Sequence, residues 1–196
     1  MFLAFEIWCD DVLHPEDIHP WNFRTREFYD EYRTKYAIAK MIQPQSILEV
    51  GVRFGYGARS FLFAAPTASY VGLDHDEPSF GPYKGVPREW AEHRLRNIYP
   101  DNSIFTFHCD TQTNGVSKLG LQQADLIHID ADHSYRGALN DLQNFWCLAK
   151  KALVVDDYEQ IADVRSAVNF FCCNCHEAIL LSSSSLRGSA IIIKDT

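Results

Sequence analysis

The chain has 196 residues, a length that suits one α/β domain with a substantial core and is too short for two comfortable ones. Hydrophobic residues make up 46% of the sequence and charged residues 22%, as in ordinary globular domains. The formal net charge of −8 gives no positive field that would attract phosphate backbones, so a nucleic-acid partner is not expected.

The N-terminal residues Met1 to Trp8 are mostly apolar, lack a basic leader and continue into Cys9-Asp10-Asp11. This pattern is typical neither of a signal peptide nor of a membrane span, so we expect a cytoplasmic protein without a membrane partner. Six cysteines in such a chain favour reduced thiols. The cluster Cys172-Cys173-Asn174-Cys175-His176 suggests zinc, but no second ligand pair lies nearby, and buried free cysteines are the better interpretation.

Hydrophobic periodicity and turn residues predict alternating helices and strands after an irregular N-terminal arm. The predicted elements are, in chain order, a helix Thr25–Ile42, a strand Ser46–Val50, a helix from about Gly57 to Ala65, a strand Ser69–Leu73, a loop His75–Pro87, a helix Arg88–Tyr99, strands Ile104–His108 and Ala124–Ile129, a helix Tyr135–Leu148, a strand Ala152–Val155, a helix Gln160–Phe171, and strands Ala178–Leu181 and Ser189–Lys194 flanking the serine-rich turn Ser182–Ser185.

This order predicts a Rossmann-like α/β fold, with a mostly parallel seven-stranded sheet, helices on both faces and a C-terminal antiparallel hairpin. We expect residues 1–196 to form a single domain, in which the arm and helix of residues 1–43 are a candidate lid. In such sheets ligands bind beyond the carboxyl ends of the strands, so chemistry-bearing residues are expected there.

The first predicted strand closes with Glu49-Val50-Gly51-Val52-Arg53-Phe54-Gly55-Tyr56-Gly57 and opens a helix. Glycines at this place let the backbone turn sharply and approach a ligand. Asp74 ends the second strand, where an acid about 20 residues further on can bind ribose hydroxyls. Arg53 occupies the place of the second glycine in a dinucleotide-binding loop, which argues against NAD and for a cofactor without a pyrophosphate.

This loop resembles the first motif of the class I S-adenosylmethionine-dependent methyltransferases, which runs acid-x-Gly-x-x-x-Gly. The resemblance implies that S-adenosylmethionine is the cofactor. The implied contacts are Glu49, Gly51 and Gly55 at its methionine and ribose, Asp74 at the ribose, and Cys109, Asp110 and Thr111 along the adenine, with Asp130 as a further contact. Alternatively, the two glycines of the motif serve only a tight turn between strand and helix.

Acidic residues crowd the ends of two further strands. One strand ends in Asp130-Ala131-Asp132-His133, and the next ends in Val155-Asp156-Asp157. Four carboxylates at neighbouring strand ends would repel one another unless they are protonated or neutralised by a cation. A hard divalent cation such as Mg²⁺, which takes oxygen ligands, would provide that neutralisation.

The acidic pattern resembles the metal-dependent small-molecule O-methyltransferases of the antibiotic-sugar and catechol types, and the related cephalosporin-hydroxylase-like proteins. By this resemblance Asp130, Asp156 and Asp157 are metal ligands. Asp132 matches the proposed base of the antibiotic-sugar group, and His133 stands where catechol-type enzymes have a lysine. The two are rival catalytic bases, and the imidazole is slightly favoured because it titrates near neutral pH.

Other interpretations of the same residues stay open at this point. Asp156 and Asp157 can be a helix cap and a solvated turn, and Asp132 can be an Asx-turn residue. His128, between two isoleucines of its strand, is expected to be a packed, hydrogen-bonded core histidine.

Together these features predict an S-adenosylmethionine-dependent, Mg-dependent O-methyltransferase that acts on a hydroxyl of a small molecule. The alternatives are an S-adenosylmethionine-binding protein without methyl transfer and an oxygenase-like relative of the cephalosporin hydroxylases. A homodimer is a candidate assembly, and no motif identifies the acceptor.

Overall fold

The computed structural model of the protein describes residues 26–75, 87–112, 119–175, 178–182 and 187–194. The predicted N-terminal arm, Thr25, most of the loop His75–Pro87, His176 and most of the serine-rich turn lie outside these ranges. That the whole chain forms one domain, with residues 1–43 as a lid, therefore stays a prediction.

Helices and strands alternate through most of the described chain. The helices are α1 (Arg26–Ile42), α2 (Tyr56–Ala64), α3 (Pro87–Ile98), α4 (Tyr135–Trp146) and α5 (Ala162–Asn174); the strands are β1 (Ser46–Val50), β2 (Ser69–Asp74), β3 (Ile104–His108), β4 (Ala124–Ile129), β5 (Ala149–Val155), β6 (Ala178–Ser182) and β7 (Ala190–Lys194).

The seven strands form one sheet in the order β3-β2-β1-β4-β5-β7-β6. Strands β1 to β5 pair in parallel, whereas β7 lies antiparallel to both β5 and β6. This arrangement confirms the predicted Rossmann-like, mostly parallel seven-stranded sheet with a C-terminal antiparallel hairpin.

The start of β5 differs from the predicted boundary, because the strand begins at Ala149 rather than Ala152. Ala149 pairs with Ala124, and the register shifts before the next paired residues. The exposed Lys150 and Lys151 conceal this beginning in the sequence, because their polar side chains break the apolar run that predicts a buried strand.

Successive side chains of each strand point to opposite faces of the sheet, so the core consists of two clusters, one on each face. Leu126 packs with residues of α1, α2 and α3, whereas its neighbour Ile127 packs with residues of α4 and α5. Both side chains are fully buried. Helices therefore cover both faces, as the nearly continuous apolar strands predict.

The sheet geometry aligns the residues that follow neighbouring strands. The Asp130 amide donates a 2.8 Å hydrogen bond to the Val50 carbonyl, and the Asp156 amide donates one of 3.0 Å to the Ile129 carbonyl. The strand order reverses between β1 and β4, a place where open α/β sheets form a ligand crevice. Thus Gly51, Asp130 and Asp156 lie side by side at the carboxyl edge.

None of the helices in the described ranges combines the length and the apolar character needed to cross a membrane.

We expect Leu126→Ala to lower the free energy of unfolding by about 2–5 kcal/mol, because it leaves a cavity in a fully buried layer. Leu181→Ala is the matched control, since that leucine is 46% exposed and should change stability far less. Urea unfolding measures both values, and equal losses would contradict the assigned core.

Candidate active site

The loop after β1 needs glycine at two positions. Gly51 has φ 89° and Gly55 has φ 71°, in the left-handed region that side chains rarely adopt. A Cβ added to Gly51 would overlap the carbonyl oxygen of Asp130, and one added to Gly55 would lie 2.9 Å from the Cβ of Ala91. The loop therefore lies directly against the backbone at the end of β4.

Asp74 at the end of β2 is tied to the same loop. Its Oδ2 accepts a 2.7 Å hydrogen bond from the backbone amide of Arg53. Its Oδ1 lies 3.8 Å from Nδ1 of His75, and the side chain is 16% exposed. This partly exposed carboxylate beside a glycine loop has the position that a ribose-binding acid requires.

Glu49 lies beneath the loop instead of at its surface. Its carboxylate accepts a hydrogen bond from the Tyr70 hydroxyl, and Nδ1 of His128 lies 2.9 Å from its Oε1. The residue is 1% exposed. This buried carboxylate links β1 to its neighbours β2 and β4, and the direct cofactor contact that the sequence motif implies stays a prediction.

The residues after β3 lie against α4. Cys109 and Thr111 are buried, while Asp110 accepts a 2.9 Å hydrogen bond from the backbone amide of Gln112. The Gln112 side chain donates to the carboxylate of Asp141 over 3.1 Å. Burial raises the pKa of Asp141 to about 6, against the opposing hydrogen bonds. The three predicted adenine contacts thus lie on a turn fixed to α4.

Asp130 and His133 form a partly exposed pair beyond the end of β4. His133 Nε2 lies 3.1 Å from Asp130 Oδ1 and 3.5 Å from Asp157 Oδ2. The side chains of His133 and Asp130 are 37% and 31% exposed. The hydrogen bond to Asp130 raises the pKa of His133, although burial opposes the charged form. This imidazole is accessible and has a carboxylate partner, as a general base requires.

Asp132, the rival base, lies against the start of α4. Its Oδ1 accepts a 2.9 Å hydrogen bond from the backbone amide of Ser134. A Cβ added to Gly137 would overlap the Asp132 carboxyl group, so this group packs closely on the first turn of the helix. Such contacts are those of an Asx turn, and they favour His133 over Asp132 as the base.

Asp156 is buried after β5 and holds two hydrogen bonds. Lys35 of α1 donates to its Oδ2 over 2.5 Å, and the Ser189 hydroxyl donates to its Oδ1 over 2.9 Å. Lys35 also donates to Oε1 of Glu31 over 2.7 Å. An ion pair with Lys35, and not a helix cap, is therefore the environment of Asp156.

Asp157 is paired with Arg187, which precedes β7. Arg187 donates from Nε to Oδ1 over 2.7 Å and from a terminal nitrogen to Oδ2 over 2.8 Å. The backbone of Asp157 has φ 58°, a turn that aims its carboxylate at this guanidinium. Arg187 Nε also lies 3.2 Å from Oε2 of Glu31. Asp157 is 1% exposed, so the solvated-turn interpretation does not describe it.

The cations that neutralise these two acids are therefore side chains of the chain itself. Burial would lower the pKa of Lys35, but Asp156 and Glu31 raise it well above its usual range. Burial raises the pKa of Glu31 to about 7, although Lys35 opposes this shift. Because every carboxylate oxygen of Asp156 and Asp157 already accepts a hydrogen bond, the predicted donor set does not fit a divalent ion as it stands.

Sequence analysis missed Glu31, Lys35 and Arg187 as members of the site. Glu31 and Lys35 stand four residues apart on the face of α1 that also buries Tyr32 and Ile38. A charged pair at i and i+4 on an apolar helix face is the signal that could have identified them. Arg187 carries no comparable local signal, because its partners lie far away in sequence.

His128 is the buried, hydrogen-bonded histidine that the sequence suggests. It lies between Glu49 and Asp156, with its Nε2 3.7 Å from Asp156 Oδ2. Burial alone would lower the pKa of His128, but these two acids raise it to about 9. The two neighbouring acids therefore favour the positively charged form of this buried imidazole.

The cysteine cluster of α5 lies away from this site. Cys172 and Cys175 are partly buried against the core, and Cys173 is exposed. All cysteines of the described ranges are free. Residues 172–175 belong to neither group of side chains in those ranges that could hold a metal ion.

A family model described as a methyltransferase domain matches residues 48–158, which include the glycine loop and both acidic strand ends. The comparison with curated proteins finds no match by sequence.

Solved structures of methyltransferases share the fold. One is an O-methyltransferase from Bacillus cereus in complex with SAH, with 12% identity, a TM-score of 0.62 and coverage of 99% of this chain and 90% of that chain. Another is TomG from Streptomyces achromogenes, in complex with SAM, with 16% identity, a TM-score of 0.64 and coverage of 99% and 96%. A methyltransferase from Geobacter sulfurreducens has 18% identity, a TM-score of 0.64 and coverage of 98% of each chain. These likenesses confirm the predicted class I methyltransferase fold.

The raised pKa of His128 predicts a pH-dependent contribution to stability. Since the folded-state pKa of about 9 exceeds the usual 6.5, this contribution is complete below pH 6.5 and is lost as the pH rises through about 9. Its size is on the order of 3 kcal/mol at most. We expect His128→Gln to flatten the fall in unfolding free energy between these pH values, as measured by urea unfolding.

His93→Gln is the control, because His93 is exposed on α3 and its substitution should leave the pH dependence of the wild type unchanged. An identical pH dependence in wild type and His128→Gln would show that His128 is not charged in the folded protein.

Proposed function

This chain belongs to a family of methyltransferase domains, and we propose that it transfers the methyl group of S-adenosylmethionine to a hydroxyl group of a small molecule. The proposal includes a cofactor half, built on the glycine loop, and a reactive half, built on the end of β4. The small-molecule acceptor, the hydroxyl and the role of each residue are parts of this proposal.

One observation carries it: the glycine loop touches the strand end that holds the acid–base pair. Gly51 packs so closely on the Asp130 carbonyl that no side chain fits between them. The Asp130 side chain in turn lies 3.1 Å from His133. A cofactor bound over the loop would therefore present its methyl group near His133, which is the proximity that methyl transfer needs.

The cofactor side is supported by Asp74 and by the neighbouring structures. Asp74 has a partly exposed carboxylate at the end of β2, where a ribose-binding acid is expected. Two structural neighbours carry SAM or its demethylated product SAH, and both are named O-methyltransferases. These names motivate the proposal of an oxygen acceptor for this chain.

In the proposed reaction the acceptor oxygen attacks the methyl carbon, a C–O bond forms and the C–S bond breaks. The sulfonium becomes a neutral thioether, and the hydroxyl proton passes to Nδ1 of His133, because Nε2 donates the hydrogen bond to Asp130. Asp130 holds the imidazole and stabilises the imidazolium that forms. No step passes through a metal ion, because Asp156 and Asp157 are engaged by Lys35 and Arg187.

The proposal is tested in two stages. Isothermal titration with S-adenosylmethionine and with its demethylated product measures binding, and a panel of phenolic and sugar hydroxyls with methyl-labelled cofactor then measures transfer. Binding followed by label on an oxygen is the expected result. Binding without label on any acceptor would favour a cofactor-binding protein, and absence of binding would overturn the proposal.

We expect Asp74→Ala to weaken binding of the demethylated product about tenfold or more, because a hydrogen bond to a charged group contributes roughly 1.5–3 kcal/mol. Isothermal titration measures the dissociation constant without any need for turnover. Asp101→Ala serves as the control, since Asp101 is exposed in a turn before β3. An unchanged dissociation constant in Asp74→Ala would exclude the ribose role.

His133→Gln should lower kcat by about 10²–10⁴-fold, because it removes the general base. In the wild type, kcat/KM should rise with pH through a value above 6.5, since the base must be neutral and its pKa is raised. Proton NMR of the imidazole checks this pKa independently, and Asp130→Asn should lower it.

Asp132→Asn distinguishes the rival base, because asparagine can still accept the hydrogen bond from the Ser134 amide. A small effect on kcat is expected. A loss in Asp132→Asn that equals or exceeds the loss in His133→Gln would reverse the assignment.

A further inference from the structure

The strand-end acids form two groups in which a metal ion would ordinarily be sought. His128, Asp130 and Asp156 make one, and Asp130, His133 and Asp157 make the other. Within each group the possible ligand atoms lie within 4.8 Å of one another. The sequence resemblance to metal-dependent O-methyltransferases leads to the same acids, so the charge that balances them decides how the site works.

We propose that Lys35 and Arg187 are permanent counter-cations of these acids and take the place of the divalent ion. Lys35 neutralises the carboxylate of Asp156, and Arg187 neutralises that of Asp157. The inference concerns the site of the proposed function, but it is tested by metal binding alone and does not depend on methyl transfer.

Lys35 and, at a longer distance, His128 already face the Asp156 carboxylate oxygen that a metal ion would need. Nζ of Lys35 lies 2.5 Å from Asp156 Oδ2, and both side chains are 1% exposed. An Mg²⁺ ion bound about 2.1 Å from the same oxygen would lie no farther than about 4.6 Å from the ammonium. An ammonium and a divalent ion that close in a buried place repel strongly, so Lys35 opposes binding of a metal ion at this oxygen.

The guanidinium of Arg187 likewise opposes binding of a metal ion to the carboxylate of Asp157. It donates to both carboxylate oxygens, an arrangement that matches the planar fork of arginine to a carboxylate. Asp157 is 1% exposed in its side chain, so water does not compete for these oxygens. A metal ion would have to displace this paired contact.

Glu31 joins the two cations into one alternating chain of charges. Its Oε1 accepts from Lys35 over 2.7 Å, and its Oε2 lies 3.2 Å from Arg187 Nε. The order is Asp156, Lys35, Glu31, Arg187, Asp157, with an acidic and a basic side chain in contact at every step. Since α1 and the segment before β7 come from opposite ends of the described chain, folding itself assembles the counter-cations.

The test uses Mn²⁺ as the probe, titrated by isothermal calorimetry and by electron paramagnetic resonance of the free ion. We expect no stoichiometric site in the wild-type protein up to millimolar Mn²⁺. A wild-type site that binds one Mn²⁺ at micromolar concentration, and that is lost in Asp156→Asn, would overturn the proposal.

Lys35→Met should create a Mn²⁺ site, because it removes the ammonium and leaves Asp130 and Asp156 facing each other. We expect binding at least about tenfold tighter than in the wild type, and a melting temperature that rises with added Mn²⁺. The double variant Lys35→Met/Asp156→Asn should lose both effects. Lys40→Met, a change at an exposed lysine of the same helix, should bind Mn²⁺ as the wild type does.

A folded Lys35→Met that gains no Mn²⁺ affinity would show that the ammonium does not occupy the place of an ion. Since this variant removes the ammonium that pairs with the buried Asp156 and Glu31, it can also fail to fold. In that case Arg187→Gln, which frees the group of Asp130, His133 and Asp157, provides the same gain-of-binding test, and the wild-type titration stands by itself.

Discussion

The site depends on the neutralisation of carboxylates that the fold withdraws from water. An isolated buried carboxylate costs several kcal/mol, and a pair broken by loss of one partner costs about 3–5 kcal/mol. Asp156 and Asp157 avoid this cost because α1 delivers Lys35 and the segment before β7 delivers Arg187. The helix and the hairpin that flank the catalytic edge thus supply its positive charge.

This charge balance leaves a division of roles among the acids. Asp156 and Asp157 are buried and fully engaged, whereas Asp130 stays partly exposed and turns toward His133. A proton acceptor must meet solvent or substrate, so only the exposed pair can exchange protons during a reaction. The buried cations Lys35 and Arg187 hold the carboxylates of Asp156 and Asp157, which lie beneath this exposed pair.

The parallel sheet explains why the glycine loop and the Asp130–His133 pair are neighbours. Strands β1 and β4 are neighbours although 73 residues separate Val50 from Ala124 in a long excursion through β2 and β3. Their carboxyl ends lie at the same edge, so the glycine loop of one strand touches the first residue beyond the other. The same register aligns Asp74 and Asp156 on either side, which places the proposed ribose-binding acid and the buried ion pairs along one edge of the sheet.

The sequence alone determined the alternation of helices and strands, the mostly parallel sheet and the strand-end positions of Gly51, Asp74 and Asp130, because apolar periodicity and strand-end motifs are local signals. It also indicated that the crowded acids need a cation. Only the tertiary structure decided that Lys35 and Arg187 supply it, since each is far in sequence from its acid and contact depends on how α1 and β7 pack. It likewise decided which acids are buried, because exposure follows from the whole fold and not from neighbours in the chain.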